Sequence, residues 1–371
     1  MKINKPLLFA GASTFIGLSV LKNTFDKAHQ LPNHSLKEKS LQMDSPLASI
    51  NWISEDDYRT QMEEIVIPYL EKYQETGIFN HDSQSLHYHH FVPDTVKATI
   101  LLIHGFNEYK EKYSEFIYYL LQAQMEVFIL DLRGHGKSKQ SDQQTRIHVD
   151  DFEDYLRDID AFVNKIVLLQ GHSHHLTLFG HSMGGAIATA YLQEYKNPFD
   201  KVILHAPMLS INLGQQDPLT LSIFLTMMRL CHLDFMHIPT LEKYNPEESP
   251  KFNSDSKVVK NTERAKYYHD LNFILHEKPT KGGSMSWLNT SMKITQRITR
   301  PQAIRQMSQE ILTIRAGNDH IVNKEGIFAI QQYGRKVTSV VVPNAYHEIF
   351  SESDSVIQAY YSMILDFLDT H

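Results

Sequence analysis

The sequence predicts an α/β fold: a mostly parallel sheet covered by helices on both faces, with a helical cap inserted late in the chain. Three observations carry this. Short apolar runs alternate with amphipathic stretches from about residue 56 onward. One run, Leu176-Thr177-Leu178-Phe179, ends in Gly180-His181-Ser182-Met183-Gly184-Gly185 and opens into a small-residue helix over 186–192. Between 207 and 300 the alternation stops, and the chain turns helical and rich in Met and aromatics before strands resume.

The elements follow in order. Lys2 and Lys5 precede a charge-free run from Pro6 to Leu21, the layout of an export signal or N-terminal anchor over residues 1–22. The run is shorter than the roughly 20 apolar residues of a spanning helix. The competing reading is an N-terminal helix buried in the fold. Residues 23–55, polar and rich in Lys, Ser, Asn and Pro, read as a tether. The expectation is therefore an exported or membrane-associated protein, with a cytoplasmic one as the alternative.

The first part of the core is expected over 56–206. Apolar spacing from Asp56 to Tyr73 suits a helix, and Gly77–Phe79 with Ser85–Val92 reads as a hairpin. Thr99–Ile103 and Val127–Leu130 read as strands with a helix between them around Tyr113–Ala123. Asp150–Leu169 has an acidic first turn and apolar residues at helical spacing, so it reads as an amphipathic helix. Lys201–His205 is the next strand. The cap occupies 207–300, and the core's second part spans 301–371. There, strands Ile311–Ile314 and Val337–Val342 alternate with helices at Lys324–Tyr333 and Asp354–Leu368.

Composition narrows the function classes. Among 371 residues, 42% hydrophobic and 21% charged are ordinary for a globular protein. A net charge of -7 and the lack of a basic stripe argue against nucleic acid as a partner. A single cysteine, Cys231, excludes an intramolecular disulfide framework and a cysteine-rich metal site. Gly136-Lys137-Ser138 ends like a phosphate loop, but Asp131 stands where its first glycine should be. His87, His89 and His90 read as strand and edge residues, and His172, His174 and His175 as a solvated turn, so no metal is expected.

Gly-x-Ser-x-Gly between a strand and a helix is a nucleophile elbow. Its tight turn demands positive φ at Ser182 and tiny residues two positions to either side, which Gly180 and Gly184 supply. The hydroxyl then stands at the positive end of a helix, where a developing oxyanion is favoured. A base and an orienting acid should follow in the order Ser, acid, His, each on a loop after a strand. Asp319 follows the strand ending at Ile314, and His347 follows the strand ending at Val342. The competing roles are a helix N-cap for Asp319 and a solvated loop position for His347. The oxyanion would be held by the backbone N–H groups of Met183 and of Phe106, in the loop His104-Gly105-Phe106.

On these residues the chain resembles the α/β-hydrolase branch of bacterial lysophospholipases and monoacylglycerol lipases, grouped with serine aminopeptidase-like hydrolases. The resemblance covers about residues 60–370. Glu108 and Tyr113 extend its first motif, Asp131, Arg133, Gly134, Gly136 and Ser138 its second, and Ala206-Pro207-Met208 and His347-Glu348-Ile349-Phe350 its later ones. In the cap, Thr262, Ala265 and Tyr267 with Gly282-Gly283-Ser284 and Ser286-Trp287-Leu288 look like the lysophospholipase pattern. The loop after His-Gly departs from the family's small or polar type, since Phe106 is bulky.

The resemblance implies a serine hydrolase that cleaves carboxylic esters through an acyl-enzyme, with Ser182, Asp319 and His347 as its triad and no cofactor. A Met- and Phe-rich cap and a membrane anchor favour a lysophospholipid or monoacylglycerol substrate and a membrane surface as partner. The alternatives are an aminopeptidase or amidase on the same triad, and a non-catalytic ligand-binding scaffold.

Overall fold

A computed structural model describes residues 38–42, 47–254 and 258–369. Among them are nine strands: β1 Lys39–Ser40, β2 Gln74–His81, β3 Gln84–Phe91, β4 Ala98–Ile103, β5 Met125–Leu130, β6 Leu176–His181, β7 Lys201–His205, β8 Glu310–Ala316 and β9 Val337–Val342. They form one sheet in the order β1-β9-β8-β7-β6-β4-β5-β3-β2. Pairing is parallel from β1 through β5 along that order, and antiparallel only at β5-β3 and β3-β2. The central strands β4, β5, β6 and β7 are buried at every position. That is why they read as continuous apolar runs, as strands covered on both faces do.

Each face of the sheet has its own apolar core. One is built by helix Glu153–Phe162 with its continuation to Gln170, helix Met183–Glu194, helix Met285–Ile298 and helix Glu325–Tyr333. The other is built by the helix over 58–73, helix Ser114–Gln122 and helix Asp354–Asp369. The α/β architecture predicted from the alternation is the one observed, with boundaries shifted by a few residues.

Three expectations need correcting. The expected leader at 1–22 and most of the tether lie outside the described residues. Of the tether, residues 38–42 and 47–55 are packed, because β1 pairs with β9 and Leu41, Ile50 and Ile53 are buried in the second core. Leu47 and Trp52 pack against the same core, and Arg315 pairs with Glu38 at 2.6 Å. Among the described residues no helix is long and apolar enough to cross a membrane.

The 207–300 insertion is not a single cap. Helix Met285–Ile298 packs on the elbow helix, and its Met285, Trp287, Met292, Ile294 and Ile298 are buried in the first core. Helix Thr262–Leu275 lies on the opposite core, with Tyr267 and Tyr268 inside it. Only helix Pro218–Leu230 keeps a mostly exposed surface; of its side chains Leu225 alone is buried. Finally, β3 is internal rather than an edge, so His90 is buried, and His172 hydrogen-bonds into the protein at Glu126.

Arg264 ties helix Thr262–Leu275 to the core. Its guanidinium is fully buried and reaches Glu115 at 3.2 Å through two nitrogens, Asp354 Oδ1 at 2.8 Å and the Glu352 carbonyl at 3.1 Å. Tyr58 and Tyr119 donate to the same Glu115 carboxylate at 2.7 and 2.8 Å. Removing the cation strands a buried carboxylate. Arg264→Ala should therefore lose about 3–5 kcal/mol of unfolding free energy in a urea titration. A loss under about 1 kcal/mol would mean that Glu115 is compensated without it.

Candidate active site

Strand β6 runs straight into helix Met183–Glu194, and Ser182 is the one residue between them, at φ 50 and ψ -116. The approach of strand and helix explains the glycines. A Cβ on Gly180 would lie 2.5 Å from the Gly184 carbonyl oxygen, and one on Gly184 only 2.1 Å from the Ile103 carbonyl oxygen. Backbone hydrogen bonds hold the turn: Ser182 N–H donates to the His205 carbonyl at 3.0 Å, while Met208 N–H donates to the Ser182 carbonyl at 2.8 Å.

The structure brings Ser182, His347 and Asp319 together. His347 Nε2 lies 2.8 Å from Ser182 Oγ, and His347 Nδ1 lies 2.7 Å from Asp319 Oδ2. Asp319 divides its work: Oδ1 accepts from the N–H groups of Ile321 at 2.8 Å and Val322 at 3.0 Å, and Oδ2 faces the imidazole. Burial works to raise its carboxyl, but hydrogen bonds from His347 and the two amides outweigh that and hold it below the usual carboxylate range. An ionised acceptor at Nδ1 keeps the proton there, which leaves Nε2 free to accept from the hydroxyl. Chemically, the arrangement is an alcohol poised for deprotonation.

Phe106 and Met183 share one layer beside this relay. The Phe106 ring stacks on Trp287 with centroids 3.9 Å apart, and the Trp287 indole N–H points at Met183 Sδ at 3.3 Å. Gly283 crosses the same ring, where a Cβ would sit 2.9 Å from Phe106 Cζ. The bulk of Phe106 is thus used as a platform for the insertion. His104 is structural: Nε2 accepts from Leu132 N–H at 3.0 Å, so Nδ1 carries the proton and donates to the Gly105 carbonyl at 2.8 Å.

Reading the sequence did not assign the buried charges behind the relay. Glu108 accepts from Gly105 N–H at 2.6 Å and from the Tyr113 hydroxyl at 2.8 Å. Lys112 bridges Glu108 at 3.0 Å and Glu348 at 2.7 Å, tying the loop of Phe106 to the loop of His347. Burial opposes the ionised form of Glu108, yet the charge and hydrogen bond of Lys112 keep it below its ordinary range. His181 packs between Glu108 and His347, and burial pushes it down to about 3, so it stays neutral. The available signals were the four-residue spacing of Glu108 and Lys112 and the adjacency of Glu348 to His347.

The second motif is structural as well. Asp131 accepts from Lys110 N–H, Lys110 Nζ and Lys137 N–H at 2.8, 2.9 and 2.9 Å, and Arg133 grips Asp158 at 2.6 and 2.7 Å. Gly136 sits at φ 48, where a Cβ would strike the Asp131 carboxylate at 2.3 Å.

Two predictions follow from this packing. Gly184→Ala must push strand β4 away from the elbow, and should give a protein that is insoluble or melts far below the parent in a thermal scan. Separately, burial pushes His89, His135 and His181 from 6.5 down to about 3. Below pH 6.5 the unfolded chain binds protons there and the folded protein does not, so stability falls between those values as pH drops. The urea midpoint at about pH 5 should lie well below that at about pH 7.5. Equal midpoints would contradict it.

Comparison with known proteins agrees with this architecture. Residues 94–354 match the family model described as Serine aminopeptidase, S33. The chain is similar to the probable lysophospholipase L2 of Haemophilus influenzae, at 24% identity over 78% of this chain and 90% of that one. It is similar at 24% identity to the monoacylglycerol lipase of Mycolicibacterium smegmatis, over 71% of this chain and 86% of that one. Among solved structures, a soluble variant of the monoglyceride lipase from Saccharomyces cerevisiae superposes with a TM-score of 0.64 at 21% identity, covering 81% of this chain and 96% of that one. A thermostable carboxyl esterase from Bacillus coagulans superposes with a TM-score of 0.67 at 16% identity, covering 80% and 98%.

Proposed function

We propose, from the premise that this chain belongs to the Serine aminopeptidase, S33 family of α/β-hydrolases, that it is a serine hydrolase cleaving the carboxylic ester of a lysophospholipid or monoacylglycerol. The observation that carries the reading is the unbroken relay from Asp319 through His347 to Ser182, at 2.7 and 2.8 Å. In the proposed reaction Ser182 Oγ attacks the ester carbonyl as His347 Nε2 takes its proton. Asp319 holds the ring and stabilises the imidazolium. The N–H groups of Phe106 and Met183 receive the oxyanion, each such donor lowering the barrier by about 3 kcal/mol. His347 returns the proton to the departing alcohol, leaving Ser182 acylated. Water, deprotonated by His347, then releases the fatty acid and restores the hydroxyl.

A lipid substrate is supported by the surface of helix Pro218–Leu230 and the segment after it. Ile223, Phe224, Met227 and Leu230 are exposed there, as are Leu233, Phe235 and Met236. Apolar side chains kept in water over the inserted segment suit a substrate presented at a lipid surface. The charge-free stretch from Pro6 to Leu21 supports membrane association as part of the same proposal. Relatives named lysophospholipase and monoacylglycerol lipase support the same substrate class. The family description also names an aminopeptidase, so an amide substrate on the same relay is the reading to test against.

Fatty-acid release from lysophosphatidylcholine and monoacylglycerol, run beside aminoacyl reporters, separates the two. Ser182→Ala should abolish release and fluorophosphonate labelling, and Asp319→Asn should cut kcat by about 10⁴. Retained turnover in Ser182→Ala, or faster aminoacyl cleavage, would overturn the assignment. Phe224→Ser should slow hydrolysis of lipid in vesicles several-fold and leave a short soluble ester unaffected.

A further inference from the structure

We propose that His90, Glu126 and His172 form a binding site for one divalent transition-metal ion of the zinc type, at the end of the sheet opposite Ser182. Glu126 is the second residue of β5, His90 lies near the end of antiparallel β3, and His172 stands in the turn before β6. The six residues of β6 put roughly 20 Å between this cluster and the elbow. The site therefore serves a structural purpose and does not depend on the proposed hydrolysis.

His90 Nε2 and His172 Nδ1 each lie 2.7 Å from the same carboxylate oxygen, Glu126 Oε1. Two imidazole nitrogens thus meet at one carboxylate oxygen, and the three ligand atoms all lie within 4.8 Å of one another. Modest spreading of that triangle accommodates an ion with bonds of about 2.0–2.2 Å to each. The other oxygen, Oε2, is engaged separately by the Thr99 hydroxyl and by His172 N–H at 2.9 Å. That division orients Oε1 toward the rings, as outer hydrogen bonds orient ligating carboxylates.

The second nitrogen of His90 supplies an independent observation. Its Nε2 is the atom that meets Glu126, which leaves Nδ1 on the other edge of the ring. That atom is buried with no hydrogen-bond partner among the described residues. With a metal on Nε2 the ring proton moves to Nδ1, which faces the Glu75 carboxylate at 3.9 Å. A carboxylate behind a ligating histidine is the usual support for such a ligand. His90 is further fixed by stacking on Phe128, centroids 3.8 Å apart.

Ligand chemistry selects the ion. Two imidazoles and one carboxylate suit zinc, cobalt or nickel rather than calcium or magnesium, which take oxygen donors. The His172 side chain is 56% exposed, so the ion has a route in and water can complete its coordination. Binding would clamp β3, β5 and the turn before β6 to one another, three segments far apart along the chain.

The test uses the full-length protein stripped with chelator and titrated with Zn²⁺ and Co²⁺. Expected are one saturable equivalent with a micromolar or tighter Kd, visible Co²⁺ absorption displaced by Zn²⁺, and a Tm raised by roughly 3–5 °C under saturating Zn²⁺. His172→Ala, whose ring is largely outside the core, should fold normally by circular dichroism and bind at least tenfold more weakly. Its neighbour His174→Ala should bind like the parent. Absence of saturable binding, or an affinity for His172→Ala within tenfold of the parent, would overturn the proposal. So would a loss equal in His174→Ala, since it would assign the ion to the exposed histidine turn.

Discussion

The close approach of strand β6 and helix Met183–Glu194 is the constraint on which the rest of the site depends. With the Gly184 backbone pressed against the Ile103 carbonyl, there is no room for a relaxed turn, and Ser182 takes the left-handed φ of 50. Such a residue persists only where its surroundings over-determine it. Here they do: parallel strands β4 and β7 flank β6, and the Ser182 carbonyl accepts hydrogen bonds from both Gly185 and Met208. The stiffness of the central sheet is thereby transmitted to one hydroxyl. His347 and Asp319 need only be carried to it by the loops after β9 and β8.

Those loops are steadied by charge as well as by packing. Lys112 lies between Glu108 and Glu348, and each carboxylate belongs to a loop that faces the elbow. In a site so well buried, an unpaired charge would be costly, whereas a paired one fixes relative position. Neutral His181 fills the space between this cluster and His347 without adding a charge. The result separates labour between two layers: an outer set of groups that can react, and an inner set whose full satisfaction keeps them aligned.

A second buried ionic node performs the same task for the insertion. Arg264 and Glu115 join the inserted helix Thr262–Leu275 to the core, and Asp354 extends the node to Ser54 and the Glu55 amide of the leading segment. The insertion is therefore not a free lid throughout. One of its helices is locked by this node, another is absorbed into the core beside Trp287, and helix Pro218–Leu230 with the segment after it presents a run of apolar side chains to solvent.

Features controlled by neighbouring residues were legible without coordinates. The elbow is a local steric problem, so Gly180, Ser182 and Gly184 could be read together. Strand and helix periods are local too, and strand order along the chain singled out Asp319 and His347 before their distances to Ser182 were known. Long-range choices were not legible. His90 and Glu126 are 36 positions apart and His172 is 46 beyond Glu126, so neither histidine run displayed its carboxylate partner. Lys112 and Glu348 are separated by 236 positions. Assigning helix Met285–Ile298 to the core rather than to the cap required knowing which surface its apolar stripe met. Short-range sterics and periodicity are written in consecutive residues, whereas the partner of a buried charge or an apolar face is chosen only when the sheet closes around it.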